Sequence, residues 1–366
     1  MAYRAFLACM LACLSAAQPN TPPEKVAVRK DGAGFVLTPS GAPFTPWGFN
    51  QDRDYQHRLL EDYWSAEWPT VERDFREMRK LGANLVRIDL QFASFMDAPG
   101  KPNAANLARL EKLVQLAEGL GLYLDITGLG SYREKDVPAW YGAMPEGAHW
   151  AAQAQFWEAI AKTCAGRPGV FAYNLMNEPV VSSDRRLPGA WLHPSELGGL
   201  HYLEYINLDP AGRKRTEIAQ RWIRQMTLAI RKYDARSMVT VGMVLLNLRK
   251  PEEEAGFPPS KIAPELDFLA IHMYPEKDKL DTAIETLTRY RKAAGKPVLI
   301  EETYPLRCSV PELRAFIERS RSIASGYPGF YWGQTPEQLK DSTKPGDLRT
   351  LRWLELFRLI APDHRQ

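Results

Sequence analysis

Glu178 and Glu302 carry the first chemical signal in this chain, because each closes a short apolar run. Two carboxyls sharing one opening, one protonated and the other ionised, are what cleavage of an acetal such as a glycosidic bond requires. Arg87, Asn177, His272, Tyr274 and Trp332 stand at the ends of, or just beyond, similar runs, where they could steer such a pair. Each residue has an ordinary reading when taken alone. A glutamate at a strand end is usually a solvated surface residue, and an arginine or histidine within an apolar run is usually a structural ion pair or a satisfied core polar group. Matching position and neighbourhood lift the set above those defaults. Other chemistries lack their signatures. His193 and His201 have no metal-ligand spacing, and His-Glu-x-x-His, Cys-x-x-Cys and Gly-x-Ser-x-Gly patterns do not occur, so no metal and no organic cofactor are expected.

The elements that must position these residues alternate along the chain. Phe35–Leu37 and Ala42–Phe44 flank Pro39–Ser40–Gly41 and predict a small hairpin. The barrel-type strands are then expected at Phe44–Phe49, Asn84–Leu90, Leu122–Ile126, Val170–Met176, Met238–Val244, Phe268–Tyr274, Val298–Glu302 and Gly329–Trp332. Between them fall helical spacings such as Val71, Phe75 and Met78 after a Thr70 cap, or Ile218, Trp222, Met226 and Ile230. Ser309 and Glu312 with Pro311 between them predict a capping box. Strands this apolar, alternating with helices, predict a single α/β fold, a (β/α)8 TIM barrel with a short N-terminal β-hairpin and long βα loops. A doubly wound sheet is the alternative, but Gly32–Ala33–Gly34 lacks the rest of a phosphate-binding turn. In such barrels function gathers where the strands run out into the following loops, and all the candidates above sit there.

Bulk properties exclude other classes. With 45% hydrophobic and 25% charged residues the 366-residue chain has globular composition. A formal charge of +3 without a basic stripe argues against a nucleic-acid partner. Arg4, the apolar Ala5–Leu14 and the small Ser15–Ala16–Ala17 predict a signal peptide over residues 1–17, a flexible leader over 18–26 and one catalytic domain over 27–366. The expected location is therefore secreted or periplasmic, with lipoprotein processing at Cys13 a weaker alternative, and no run is long enough to span a membrane. Cys164 ends a helix and Cys308 follows a strand, so they should lie at opposite barrel ends and not pair. The expected partner is a carbohydrate substrate, and a monomer is the default.

Asn174–Leu175–Met176–Asn177–Glu178–Pro179 resembles the acid/base motif of glycoside hydrolase clan A, especially family 5. Lys296–Pro297–Val298–Leu299–Ile300–Glu301–Glu302 resembles that family's nucleophile strand, and Arg87, His272–Met273–Tyr274, Trp332 and Trp47–Gly48–Phe49–Asn50 fall where it keeps related residues. The resemblance implies a retaining hydrolase of β-linked oligo- or polysaccharides of the glucan or mannan type, with Glu178 as acid/base and Glu302 as nucleophile. It further implies that Asn177 binds the sugar 2-hydroxyl, that Arg87 and Tyr274 hold Glu302 ionised, and that Trp332 floors the site. The chain departs from the pattern after strand three, where Asp125–Ile126–Thr127–Gly128–Leu129 lacks the usual histidine, and after strand seven, where Thr303–Tyr304–Pro305 replaces an aromatic-glycine pair.

Strand alternation puts Glu302 with Val298 and Ile300 on one face and Glu301 on the other, as a neighbour able to pair with a basic side chain. Sugars stack on aromatic rings, and among the many aromatics of the loops Trp140 and Trp191 are candidates, although most such rings should simply pack the loops. Two other readings stay open: an exo-glycosidase or transglycosylase on the same barrel, made by the long strand-four loop, and a non-catalytic carbohydrate-binding barrel.

Overall fold

The computed structural model describes residues 23–245, 255–330 and 332–362, so the proposed signal peptide lies outside the described residues, as do Tyr331 and residues 246–254. Eight apolar segments form parallel strands: β1 (Trp47–Gln51), β2 (Leu85–Gln91), β3 (Tyr123–Gly130), β4 (Val170–Asn177), β5 (Met238–Val244), β6 (Leu269–His272), β7 (Val298–Glu302) and β8 (Tyr327–Gly329). Neighbours pair in register from β8 through β1 to β7. Across the remaining seam, Ser325 N donates to Val298 O at 2.8 Å and Phe330 N to Thr303 O at 2.9 Å, which nearly closes the barrel. Every residue of these strands is buried, because helices cover the outside and side chains fill the inside.

The outer helices are α1 (Trp68–Lys80), α2 (Ala104–Gly119), α3 (Glu146–Cys164), α4 (Arg215–Arg231), α5 (Leu280–Ala294), α6 (Val310–Ser320) and α7 (Pro345–Leu359). Each turns an apolar face inward: Val71, Phe75 and Met78 on α1, Ile218, Trp222, Met226 and Ile230 on α4. Ser309 and Glu312 form the expected capping box on α6. Helix α1 starts two residues before Thr70, since Pro69 fits the first helical turn, where its missing N–H is not needed. Between β5 and β6 lie the short helix Pro259–Ile262 and a 3-10 turn at Ala263–Glu265.

Three expected boundaries move. The hairpin is a three-stranded antiparallel sheet, Lys25–Val28, Phe35–Thr38 and Pro43–Phe44, so Lys25 and Val26 belong to a strand and not to a leader. Val26 is drawn in because it is buried beside Phe35. β1 begins at Trp47 and not at Phe44, because Phe44 packs into that sheet's cluster. β8 ends at Gly329: a Cβ there would lie 2.2 Å from the Trp353 ring, so only glycine lets the strand pass α7, while Phe330 N still donates to Thr303 O and Trp332 N to Asn50 O of β1 at 2.7 Å. Cys164 ends α3 fully buried and Cys308 follows β7 partly exposed, both as free thiols. No helix among the described residues is long and apolar enough to cross a membrane.

Candidate active site

Strand ends β2, β4, β6 and β7 deliver their polar residues to one mouth. Arg87 is fully buried and every part of its guanidinium is used. Nε donates to Thr127 Oγ1 at 2.8 Å, Nη1 to Asn50 Oδ1 at 2.9 Å and Glu302 Oε1 at 2.7 Å, and Nη2 to Asn177 Oδ1 at 2.8 Å. Burial opposes its charge, but Asp89, Glu301 and Glu302 outweigh burial and raise its pKa well above normal. The second oxygen of Glu302 accepts from Tyr274 Oη at 2.6 Å. Burial, then the charge of Glu302, pushes the Tyr274 pKa far up, so the phenol keeps the proton it donates.

Glu178 follows the last residue of β4 with φ +44°, an uncommon conformation for a side chain-bearing residue, and its N–H is held by Gly242 O at 2.9 Å. The turn aims the carboxyl across the mouth at His272, whose Nδ1 meets Glu178 Oε1 at 2.8 Å and lies 3.4 Å from Glu302 Oε2. Donor atoms of Glu178, His272 and Glu302 all fall within 4.8 Å of one another. Such a trio has the look of a cation site. Its ligand atoms have other partners: Arg87 and Tyr274 donate to the two Glu302 oxygens, and His272 Nδ1 meets Glu178. Burial works against charge on His272, but Glu302, Glu178 and Glu301 lift its pKa to about 10.

Glu301 departs from expectation. Alternation would turn it away from Glu302, yet it is completely buried inside the barrel. Leu299, two residues earlier, lies with Leu85 and Ala270 in the inner cluster, so alternation already turns Glu301 inward. The register slips where Ile271 pairs with Ile300 but His272 with Glu302, and this bulge brings Glu302 to the same side. Glu301 Oε1 accepts from Asn174 Nδ2 at 2.7 Å, and its Oε2 lies 3.2 Å from His272 Nε2 and 3.5 Å from Arg87 Nε. Burial alone would raise its pKa, but Arg87, His272 and Asp125 bring it down to about 2. Asp125 is its complement: burial, then the charge of Glu301, raises its pKa well above normal, and neither of its oxygens has a hydrogen-bond partner.

A cavity of about 330 Å³ opens above Glu178, Glu302, Asn177 and Tyr274. Arg53 from the β1 exit, Tyr202 and Leu203 from the β4 loop, Tyr304 and Leu306 from the β7 exit and Phe330 from the β8 exit wall it. The β4 loop is tied down across the mouth. Asn177 Nδ2 donates to Tyr202 O at 2.9 Å, Tyr202 Oη to Asp52 Oδ2 at 2.9 Å, and His201 N to Tyr132 O at 2.8 Å. Burial raises the Asp52 carboxyl to about 7 despite Arg53 beside it.

The candidates thus divide. Arg87, Asn177, Glu178, His272, Tyr274 and Glu302 converge. Trp332 does not join them: it is buried in the core, edge-on to Phe49 at 5.3 Å, with its side chain toward Asp74 on α1, and Phe330 lines the cavity instead. Trp191 is stacked on His149 at 3.8 Å with its N–H on Gly142 O, and half-buried Trp140 leans on Phe92, so both pack loops outside the cavity. Sequence reasoning missed Asn50, Asp125, Thr127 and Asn174, whose signal was a polar residue inside an apolar strand run.

Residues 37–305, well over half of the chain, match the family model Cellulase (glycosyl hydrolase family 5), and the chain belongs to that family of glycoside hydrolases. Among solved structures it is similar in fold to an exo-β-1,4-mannosidase from Opitutaceae bacterium strain TAV5, at TM-score 0.65 and 20% identity over 92% of this chain and 62% of that one. The chain therefore spans less than two thirds of that enzyme's length. It is also similar to a β-1,4-mannanase from the sea hare Aplysia kurodai (TM-score 0.58, 12% identity, 90% of this chain and 95% of that one). A β-glucanase from Saccharophagus degradans gives TM-score 0.58 at 16% identity over 93% and 95% of the two chains. No curated protein matches the sequence.

Proposed function

We propose that this glycoside hydrolase cleaves β-linked oligo- or polysaccharides with retention, Glu302 acting as nucleophile and Glu178 as acid/base. The observation that carries the reading is the reach between the two carboxyls: one oxygen of each lies within 4.8 Å of the other, which favours the close pairing of a retaining site, roughly 5–5.5 Å, over the wider gap of an inverting one. In the first step a Glu302 oxygen attacks the anomeric carbon, the glycosidic C–O bond breaks, and Glu178 gives its proton to the departing oxygen. In the second, Glu178 takes a proton from water, whose oxygen attacks the same carbon and expels Glu302. Arg87 and Tyr274 each donate to one Glu302 oxygen, which fixes the carboxyl in place to face the sugar. Replacing Glu302 by glycine should lower hydrolysis on the order of 10⁴-fold, and azide should restore turnover of an activated aryl β-glycoside. A variant as active as the wild type would remove the nucleophile assignment.

A finer reading concerns where on its substrate the enzyme works. The Leu197–Leu200 turn of the β4 loop, with Gly198 against Arg53 and Tyr202 fixed to Asp52, walls the cavity on the side of β1 to β3. A cavity walled on one side favours attack at a chain end over cleavage within a chain, and the mannosidase, mannanase and glucanase named above put β-mannosides and β-glucosides first among substrates. On mannohexaose and cellohexaose the expected early product is a single small sugar with a shortened oligomer. An early, even spread of fragment sizes would count against this.

A further inference from the structure

We propose that Glu301 is a positioning residue for the reaction, acting through the His272 ring to fix the orientation of Glu178 and the charge that stands beside it. The inference rests on the acid/base reading of Glu178 given above, and it starts from a carboxylate whose burial is otherwise unaccounted for. Next to the nucleophile, a second buried carboxylate repels Glu302 and loses its hydration, so packing alone would favour an uncharged side chain. The chain instead keeps Glu301 on the inner face it shares with Leu299, and a bulge between β6 and β7 sets Glu302 beside it.

Its surroundings then commit each atom. Gly242 N donates to Asn174 Oδ1 at 2.8 Å, which leaves Asn174 Nδ2 facing Glu301 Oε1. Glu301 Oε2 takes the Nε2 side of His272, and the Nδ1 side of the same ring reaches Glu178 Oε1. The imidazole is therefore clamped between a carboxylate that never meets substrate and the carboxyl that does. Glu301 and Glu302 from β7, Glu178 from β4 and Arg87 from β2 face this ring, while Asp125 and Tyr274 act on it through Glu301 and Glu302. β5 adds only Gly242, where a Cβ would stand 3.0 Å from His272 Nε2 and 3.1 Å from Glu301 Oε2. The room for the clamp is made by a missing side chain. With the ring protonated on both nitrogens, a positive charge stands beside Glu178 and one of its oxygens is pinned, leaving the other for the leaving group.

The test compares wild type, Glu301→Gln and Glu178→Gln on two aryl β-glycosides, one with a dinitrophenolate leaving group and one with an unactivated phenolate. Glutamine keeps the shape but gives up the charge that holds the ring protonated. For Glu301→Gln, kcat on the unactivated substrate should fall about tenfold and stay within about twofold on the activated one, with KM unchanged. The alkaline limb of kcat/KM should move up by about one pH unit, because the cation beside Glu178 is lost. A folded Glu301→Gln enzyme with an unmoved limb and an unchanged ratio between substrates would overturn the proposal. Glu178→Gln tells two failures apart: without any leaving-group dependence there, the acid/base assignment itself falls and takes this role with it. Should Glu301→Gln fail to fold, nitrogen NMR of wild-type His272 decides, since both ring nitrogens should carry protons near pH 8. A singly protonated ring there would overturn the role.

Discussion

The two ends of this barrel are built from opposite materials on the same strands. At the N-terminal end, Val26, Phe35 and Phe44 of the three-stranded sheet press on Leu85, Tyr123, Phe171, Met238, Phe268 and Leu299, at or beside the starts of β2 to β7. Phe35 meets Phe171 at 5.1 Å and Phe268 at 5.2 Å, both edge-on. A few residues further along, the same strands carry Arg87, Asp125, Asn174, His272, Glu301 and Glu302, equally buried. The lower end is held by packing, which is non-directional and indifferent to pH. The upper end is held by a balance of charges in which each group depends on named partners, so it is the end that can hold a proton in place for chemistry.

A pair of substitutions breaks the comparison most sharply. Arg87→Ala leaves Glu302, Glu301 and Asp89 without their common counter-charge, and removing one partner of a buried ion pair costs about 3–5 kcal/mol of stability. It also frees the nucleophile, so kcat/KM should drop by about 10²-fold or more. Phe35→Ala should cost about 3 kcal/mol through the cavity it opens, with kcat/KM of the folded enzyme within about twofold of wild type. Urea denaturation and steady-state kinetics on both variants check this. If Phe35→Ala lowered kcat/KM as Arg87→Ala does, the two ends would not be separable.

How legible each end was in the sequence follows from the same contrast. β5 and β7 were readable to the residue because uninterrupted apolar runs bound them. β1 and β8 were not, since Phe44 reads as barrel strand when it is plug, and a glycine that must pass a tryptophan ring looks like any other glycine. At the mouth, Glu178, Glu302 and Arg87 were found through motif and position. Glu301 was assigned to the wrong face because Val298 and Ile300 were placed with Glu302; they face the helices, and the bulge that brings Glu302 inward beside Glu301 is a property of two strands that neither shows alone. Trp332 was misplaced for another reason: its N–H still pairs with Asn50 O of β1, but its ring turns out to Phe49 and Asp74, a packing that the strand's own residues do not show. Trp191 and Trp140 were candidates by composition, and composition does not distinguish a ring stacked on His149 from one offered to a sugar.

A smaller effect sharpens the contrast through pH. Glu204, in the β4 loop, is buried with its Oε1 on Ser131 N at 2.6 Å, and burial lifts its pKa from the usual 4.5 to about 8 against the pull of that N–H. Glu61 beside β2 is raised to about 8 in the same way, with Gln91 N on its Oε1 at 2.7 Å. The folded chain thus keeps protons on these carboxyls over a range in which the unfolded chain has lost them. Stability from this source is full below about pH 4.5 and is given up as pH rises toward 8. His272, raised to about 10, and Asp52, raised to about 7, push in the same direction, while Glu301, lowered to about 2, acts only on the acid side of that window. The melting temperature should accordingly fall between pH 5 and 8, and Glu204→Gln should flatten part of the slope. Phe35→Ala should displace the whole curve downward with its slope intact, because the plug contributes no carboxyl to that window. Parallel curves for wild type and Glu204→Gln would show that Glu204 is ionised in the folded chain, and would move the pH dependence of stability to other groups.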